Sequence, residues 1–181
     1  MEEAHQAAET AIGLDAQDST VLGFAGCALV DIGRLERGIS LLRKAIRINP
    51  SNAQALAALG ASLLKTGDPE GFRLIQAGMR ISPRDHRLAA WGTLLSGGLL
   101  ACGRLEEALE IARDACEYDD KVFAPRMVLA VASWLKGELS VAREAIEDAR
   151  RIRPKLSVKD FRQFASPEAL QGMIDARLLG A

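Results

Sequence analysis

Two histidines and three cysteines are the side chains best suited to acid–base, nucleophilic or metal chemistry in this 181-residue chain. His5 lies near the N-terminus and His86 opens a predicted helix, so no spacing brings an acid–base pair together. Cys27, Cys102 and Cys116 are far apart and include no C-x-x-C pair, which argues against a zinc site or a disulfide framework. The sequence therefore predicts no catalytic residue, no metal site and no cofactor, and it favours a reducing cytoplasm.

Phosphate binding is the next chemistry to consider, because the chain contains a glycine pair and a basic cluster. Gly97 and Gly98 lie within an apolar run without a G-x-x-x-x-G-K-S/T motif, so close helix packing is the favoured interpretation. The basic residues within 150–155 fall at a predicted helix C-terminus, where positive charge offsets the macrodipole; a phosphate or membrane contact is the alternative. With 23 basic and 24 acidic residues, the chain is predicted to bind neither nucleic acid nor membrane.

A repeat of about 34 residues organises the chain. Several pairs carry it, each with its second member 34 positions later: Gly26 and Gly60, Gly33 and Gly67, Gly103 and Gly137, Ala108 and Ala142, Ala115 and Ala149. Apolar residues at helical spacing form two faces in each repeat, separated by a glycine turn. The sequence predicts four helix pairs: 19–32 with 35–48, 52–65 with 69–81, 86–102 with 105–117, and 123–136 with 138–152. Gly67 and Gly103 are 36 residues apart, which predicts a longer first helix in the third pair.

Small residues at fixed positions of these helix pairs resemble the tetratricopeptide repeat family. Gly26 and Gly60 match the small residue in the middle of the family's first helix. The family has two alanine positions on the second helix. Ala108 and Ala142 match the earlier one, where the first pair has Gly38 instead. Ala45, Ala115 and Ala149 match the later one. Small side chains let helices cross at close range. The resemblance implies an all-α fold, a right-handed α-solenoid of antiparallel helix pairs.

Both ends of the chain extend this array. Residues 1–17 resemble a second helix without its first, so residues 1–154 are predicted to form a half repeat and four pairs, and we expect the natural chain to continue upstream. Residues 155–181 contain helix-start signals and an apolar face with Leu170 and Met173. That segment is predicted to be a C-terminal cap with its own helix.

Two stretches resemble a narrower group of proteins. Residues 80–85, with the sequence RISPRD, and 103–113, with the sequence GRLEEALEIAR, look like tetratricopeptide regions of bacterial signalling proteins. Those regions follow class III adenylate or guanylate cyclase domains, or winged-helix DNA-binding domains. The segment after Pro154 is similar to their closing segment. The resemblance implies a regulatory part of a larger cytoplasmic signalling protein.

In the tetratricopeptide family, one face of each first helix lines a groove that binds partners. Mapping that face here gives the predicted partner-binding residues Thr20, Gly23, Cys27, Val30, Asp31, Gln54, Ala57, Ala61, Leu64, Lys65, Ala89, Gly92, Ser96, Met127, Val131 and Trp134. Most are small or apolar, and Lys65 alone cannot clamp a carboxylate as relatives that grip chaperone tails do. Trp134 is assigned equally to groove and core, whereas Trp91 matches a packing aromatic of the family.

The combined prediction is a non-enzymatic module that holds a protein, a peptide or a neighbouring domain of the same chain. The alternative is a scaffold that dimerises a parent protein, which a light-scattering mass of twice 19.4 kDa would favour. A third possibility, that the chain is itself an enzyme, has no supporting set of residues.

Overall fold

A computed structural model describes residues 2–180, which are all-α with no β-strand in that range, and the predicted fold class is confirmed. Eleven helices occur there: α1 Glu2–Leu14, α2 Ser19–Asp31, α3 Leu35–Ile48, α4 Ala53–Lys65, α5 Glu70–Ile81, α6 Leu88–Ala101, α7 Leu105–Tyr118, α8 Ala124–Leu135, α9 Leu139–Ile152, α10 Val158–Phe161 and α11 Pro167–Asp175. None of these helices has the length and apolar character needed to span a bilayer.

Four glycines end the first helix of each pair and turn the chain into the second. Gly33, Gly67, Gly103 and Gly137 all have a positive φ, between 72° and 84°, which strains any residue with a Cβ. In the first turn, the Arg34 amide donates to the Leu29 carbonyl at 2.7 Å, and the other three turns repeat this bond. This is the Schellman arrangement, which satisfies the last carbonyls of a helix and reverses the chain. The glycine spacing therefore fixes where each helix pair folds.

The chain forms two compact units, one ending at Asp85 and the other beginning at His86. The first contains α1 and the pairs α2/α3 and α4/α5, and the second contains the pairs α6/α7 and α8/α9 with α10 and α11. Alanine and leucine dominate the core of both units. The predicted division into residues 1–154 and 155–181 remains a prediction.

Close helix crossings in the first unit depend on residues without a side chain. A Cβ on Gly38 would lie 2.7 Å from the Gly26 carbonyl oxygen, and a Cβ on Gly60 would lie 2.6 Å from that of Gly71. In the second unit, Ala108, Ala142 and the other small residues at these crossings are fully buried. In the first unit, the helices of a pair thus approach until their backbones touch.

Asn52 connects three helices at the start of α4. Its Oδ1 accepts the Ala55 amide at 2.9 Å, while its Nδ2 donates to the carbonyl and the hydroxyl of Ser19 at 3.0 and 2.8 Å. The Ser19 hydroxyl in turn donates to the Ala45 carbonyl at 3.0 Å. The N-terminus of α2, the C-terminus of α3 and the N-cap of α4 are therefore held by one hydrogen-bond network.

We expect Asn52→Ala to lower the free energy of unfolding by about 1–2 kcal/mol, because it removes a helix cap and the hydrogen bonds that Asn52 donates to the Ser19 carbonyl and hydroxyl. Urea unfolding followed by circular dichroism measures this. Asn52→Asp keeps the helix cap but loses the side-chain donor, so its loss of stability should lie between zero and the loss of Asn52→Ala. Asn49→Ala, in the exposed turn, is the control with a smaller loss; equal losses at Asn49 and Asn52 would contradict the network.

Candidate binding groove

Exposed positions on α2 and α4 form a continuous surface in the first unit. Thr20, Phe24, Cys27 and Asp31 share one face of α2, and residues 34 positions later, Gln54, Ala58, Ala61 and Lys65, share the matching face of α4. All eight are exposed or half-exposed. We call this surface the α2–α4 face. The Gln54 amide donates to Cys27 Sγ at 3.3 Å and connects its two rows.

Six of the ten groove residues predicted for this unit lie on the α2–α4 face: Thr20, Cys27, Asp31, Gln54, Ala61 and Lys65. The other four pack between helices. Gly23 lies against Ala55, where an added Cβ would be 3.6 Å from the alanine Cβ. The second-helix glycines lie beside the remaining three residues, Gly38 next to Val30, Gly71 next to Leu64 and Gly78 next to Ala57.

Phe24 is the residue of this face that the sequence mapping missed. Its side chain is 56% exposed, although it is large and apolar. The available signal was positional: Phe24 is four residues after Thr20, three before Cys27 and 34 before Ala58. On a helix this spacing puts all three α2 residues on one side.

On α6 the predicted residues lie one position away from the exposed face. Ala89, Gly92 and Ser96 are buried, whereas Ala90, Leu94 and Ala101 are exposed and Gly97 is half-exposed. A Cβ on Gly92 would lie 2.6 Å from the Ala115 Cβ of α7, so that position faces the second helix of the pair. The reason is the repeat length. The residues predicted on α6 lie 35 positions after their predicted counterparts on α4, but the turn glycines Gly67 and Gly103 are 36 apart.

The corresponding part of α8 is covered by the chain itself. Met127 and Val131 are fully buried, and Trp134 is half-buried against Gly172 of α11. Phe164, between α10 and α11, lies over Gly97 of α6 with ring atoms 3.3 Å from where a Cβ would be. The C-terminal segment thus occupies part of the surface that α6 and α8 would otherwise present.

Capping interactions hold that segment in place. The Ser157 amide and hydroxyl donate to Asp160 Oδ2 at 2.8 and 2.9 Å, closing a capping box at the start of α10. These hydrogen bonds hold the pKa of Asp160 below its ordinary value. Ser166 caps α11 and Pro167 follows it in the first turn. Phe161 and Met173 are fully buried, and Leu170 and Leu178 nearly so.

The residues considered first for chemistry have ordinary surroundings. Burial raises the pKa of the Cys116 thiol, so it is a poor source of thiolate. Cys102 is exposed at the end of α6. Trp91 is buried, with the Arg87 guanidinium 5.0 Å from its ring centroid. Between residues 2 and 180, no three His, Cys, Asp or Glu side chains are grouped as metal ligands.

Comparison with known proteins agrees with this architecture. Residues 25–86 match the tetratricopeptide repeat family model. Among solved structures, MamA from Desulfovibrio magneticus RS-1 superposes with a TM-score of 0.69 at 22% identity, over 86% of this chain and 88% of that one. YrrB, described as a tetratricopeptide protein with an unusual peptide-binding site, gives a TM-score of 0.66 at 19% identity, over 96% of this chain and 84% of that one.

The chain has a tetratricopeptide-like fold. A search of the curated protein sequences gives no match. The glycine turns assign α2, α4, α6 and α8 as the first helices of the four helix pairs.

Proposed function

We propose that this chain is a non-enzymatic protein-interaction module that binds a protein or peptide segment on the α2–α4 face. The observation that carries the proposal is Phe24, a large apolar side chain of α2 that is more than half exposed, with Ala58 at the equivalent position of α4. Aromatic side chains in such settings act as binding anchors, since covering them removes much apolar surface from water.

The chemistry of the α2–α4 face favours an extended or helical polypeptide over a small charged ligand. Ala58 and Ala61 present only methyl groups on the α4 side of this face, at the positions equivalent to Phe24 and Cys27 of α2, which suits an apolar side chain of a partner. Asp31 and Lys65 occupy equivalent positions on the two helices and bring opposite charges to the same end. The peptide-binding site described for YrrB gives a precedent for this use of the fold.

Ala61→Arg is the variant that tests this proposal. It places a long charged side chain in the middle of the α2–α4 face without entering the core, because Ala61 is half-exposed. We expect a bound partner, identified by quantitative mass spectrometry and then measured with purified components by calorimetry, to lose at least about tenfold in affinity, roughly 1.4 kcal/mol.

Gln76→Arg is the matched control, since it adds the same charge to an exposed position of α5. It should leave the affinity unchanged. A partner that binds the Ala61→Arg and Gln76→Arg variants equally well uses another surface, and the assignment of the α2–α4 face would then be wrong.

We further propose that the module regulates a larger bacterial signalling protein in the cytoplasm that carries a nucleotide cyclase or winged-helix domain. The support is the sequence resemblance of residues 80–85 and 103–113. The natural polypeptide, captured with an antibody to this chain and sized by mass spectrometry, should exceed 19.4 kDa and yield peptides of such a domain. A natural polypeptide without such a domain contradicts this part of the proposal.

Dimerisation of a parent protein is the second candidate function, favoured by Leu94 and Leu135, which are 42% and 48% exposed. A light-scattering mass of twice 19.4 kDa that returns to the monomer value in Leu94→Lys would support it. A monomeric chain at all concentrations would exclude it.

A further inference from the structure

The first helices of the two units correspond position by position. Gly103 follows Gly33 by 70 residues, and Gly137 follows Gly67 by the same 70. Adding 70 to the number of a residue on α2 or α4 therefore gives its equivalent on α6 or α8, with no shift of register. We call the surface of α6 and α8 that is equivalent to the α2–α4 face the α6–α8 face.

The α6–α8 face carries a polypeptide segment, which belongs to the chain itself. Phe164 lies over Gly97 of α6, with ring atoms 3.3 Å from where a Cβ would be. Gly172 of α11 lies against the Trp134 ring, and α11 packs on α8. A short helix and an aromatic residue that precedes it therefore occupy this face in the second unit.

Burial along α8 differs from burial along α4 at equivalent positions. Val128 and Val131 of α8 are fully buried. Their equivalents on α4, Ala58 and Ala61, are half-exposed and carry a methyl group in place of each isopropyl group. The α2–α4 face thus offers an accessible and lower surface where the α6–α8 face is covered.

Side-chain sizes are matched at both contacts of the α6–α8 face. A Cβ on Gly172 would lie 2.8 Å from Trp134 Cη2, so the indole needs a residue without a side chain against it. At the other contact the sizes are reversed, because the large ring of Phe164 belongs to the segment and the glycine, Gly97, belongs to the face. Each contact pairs one large aromatic side chain with one glycine.

These sizes change in the first unit. Leu64 occupies the position of Trp134. A glycine laid over this smaller side chain, as Gly172 is laid over the indole, would leave a void, so a larger apolar residue packs better. Cys27 occupies the position of Gly97, and its thiol extends into the space that an aromatic ring would need. A small residue of the partner therefore fits better at this second contact.

We propose that the α2–α4 face binds a short amphipathic helix of a partner protein in which these two sizes are exchanged. The helix carries a residue of leucine or methionine size where α11 has Gly172, and a residue of alanine size eight positions earlier, where the chain's own segment has Phe164. Leu94, the equivalent of Phe24, stays 42% exposed beneath no bulky cover, so the partner contacts Phe24 with residues outside this helix. The inference rests on the proposed binding function of the α2–α4 face and specifies its ligand.

Two peptides of about 16 residues, spanning 163–178, are the probes. Both carry Gln171→Lys with a lactam bridge to Asp175, two positions that are exposed in the folded chain, because an unbridged helix of about this length is marginal in water. One otherwise keeps the chain's own sequence, and the exchange peptide adds Phe164→Ala and Gly172→Leu. In fluorescence anisotropy with the full chain, the exchange peptide should bind saturably, with a Kd at least about tenfold lower than that of the own-sequence peptide, roughly 1.4 kcal/mol.

The position of the bound peptide is tested with the variants of the two exposed faces. Ala61→Arg should weaken binding of the exchange peptide at least about tenfold, and Gln76→Arg should leave it unchanged. Equal or tighter binding of the own-sequence peptide, weakened by Ala61→Arg, would overturn the size exchange and make the C-terminal segment of a second copy the occupant, while the proposed function would stand.

Absence of saturable binding, or binding that Ala61→Arg does not weaken, would overturn the proposed helix. The proposed function fails on a separate result, namely a natural partner that binds the Ala61→Arg and Gln76→Arg variants equally well.

Discussion

Phe161→Ala is expected to lower the free energy of unfolding of the second unit by about 3–5 kcal/mol, the usual loss for a truncated core aromatic. Phe161 is 1% exposed and is among the largest fully buried side chains in the described part of the chain. It belongs to α10, which has four residues and cannot be stable by propensity alone. Its anchoring therefore rests on this ring and on the capping box that precedes it.

Chemical denaturation with tryptophan fluorescence measures the effect, because Trp134 contacts Gly172 of the same C-terminal segment. Phe164→Ala is the matched control: it removes the same ring three residues later, but that side chain is only half-buried, over Gly97. We expect a clearly smaller loss. If Phe161→Ala were as stable as the parent, or no less stable than Phe164→Ala, the segment after Pro154 would not be an integral part of the unit.

The helix pairs were predictable from sequence because each is marked twice. Apolar periodicity gives the helix, and a glycine with positive φ gives its end, as at Gly33 and Gly137. For the eight paired helices, the observed ends lie within two residues of the predicted ends. Both signals are local, so neither depends on how the units pack.

The exposed face of a first helix was predictable only where the repeat length held. Between α2 and α4 the spacing is 34, and six predicted residues lie on the exposed face. At α6 an error of one residue turned the assignment by about 100° around the helix, from the exposed face to the buried one. Predicting which residues of a helix are exposed therefore requires a register that is correct to one residue, whereas predicting the helix itself requires only its period.

The covering of α8 could not be predicted from local patterns. The amphipathic face of residues 167–178 indicates that the segment packs on something, but amphipathicity does not say on which surface. Trp134 packs on Gly172, which is a long-range pair without a sequence signature. The sequence assigns Trp134 equally to groove and core; its side chain is half-buried against the C-terminal segment, and its part in partner binding remains a prediction.

Gly60→Ala is expected to destabilise the first unit by about 3 kcal/mol, at the upper end of the range for overpacked cores. An added Cβ would lie 2.6 Å from the Gly71 carbonyl oxygen and 2.8 Å from Ile75 Cγ1. Backbone atoms cannot rotate away as a side chain does, so α4 and α5 must separate. This loss exceeds the gain of up to about 1 kcal/mol that alanine brings to a helix over glycine. Thermal and urea unfolding followed by circular dichroism measure it.

Gly13→Ala is the control, because Gly13 is helical and exposed, and an added Cβ would meet nothing within 4 Å. That variant should be as stable as the parent or slightly more so. Gly71→Ala should resemble Gly60→Ala, since its Cβ would meet the Gly60 carbonyl oxygen in return. The double variant should lose less than the sum of the single losses, because one separation of α4 from α5 relieves both clashes. Additive losses, or a Gly60→Ala variant as stable as Gly13→Ala, would show that the two helices do not meet backbone to backbone at this crossing.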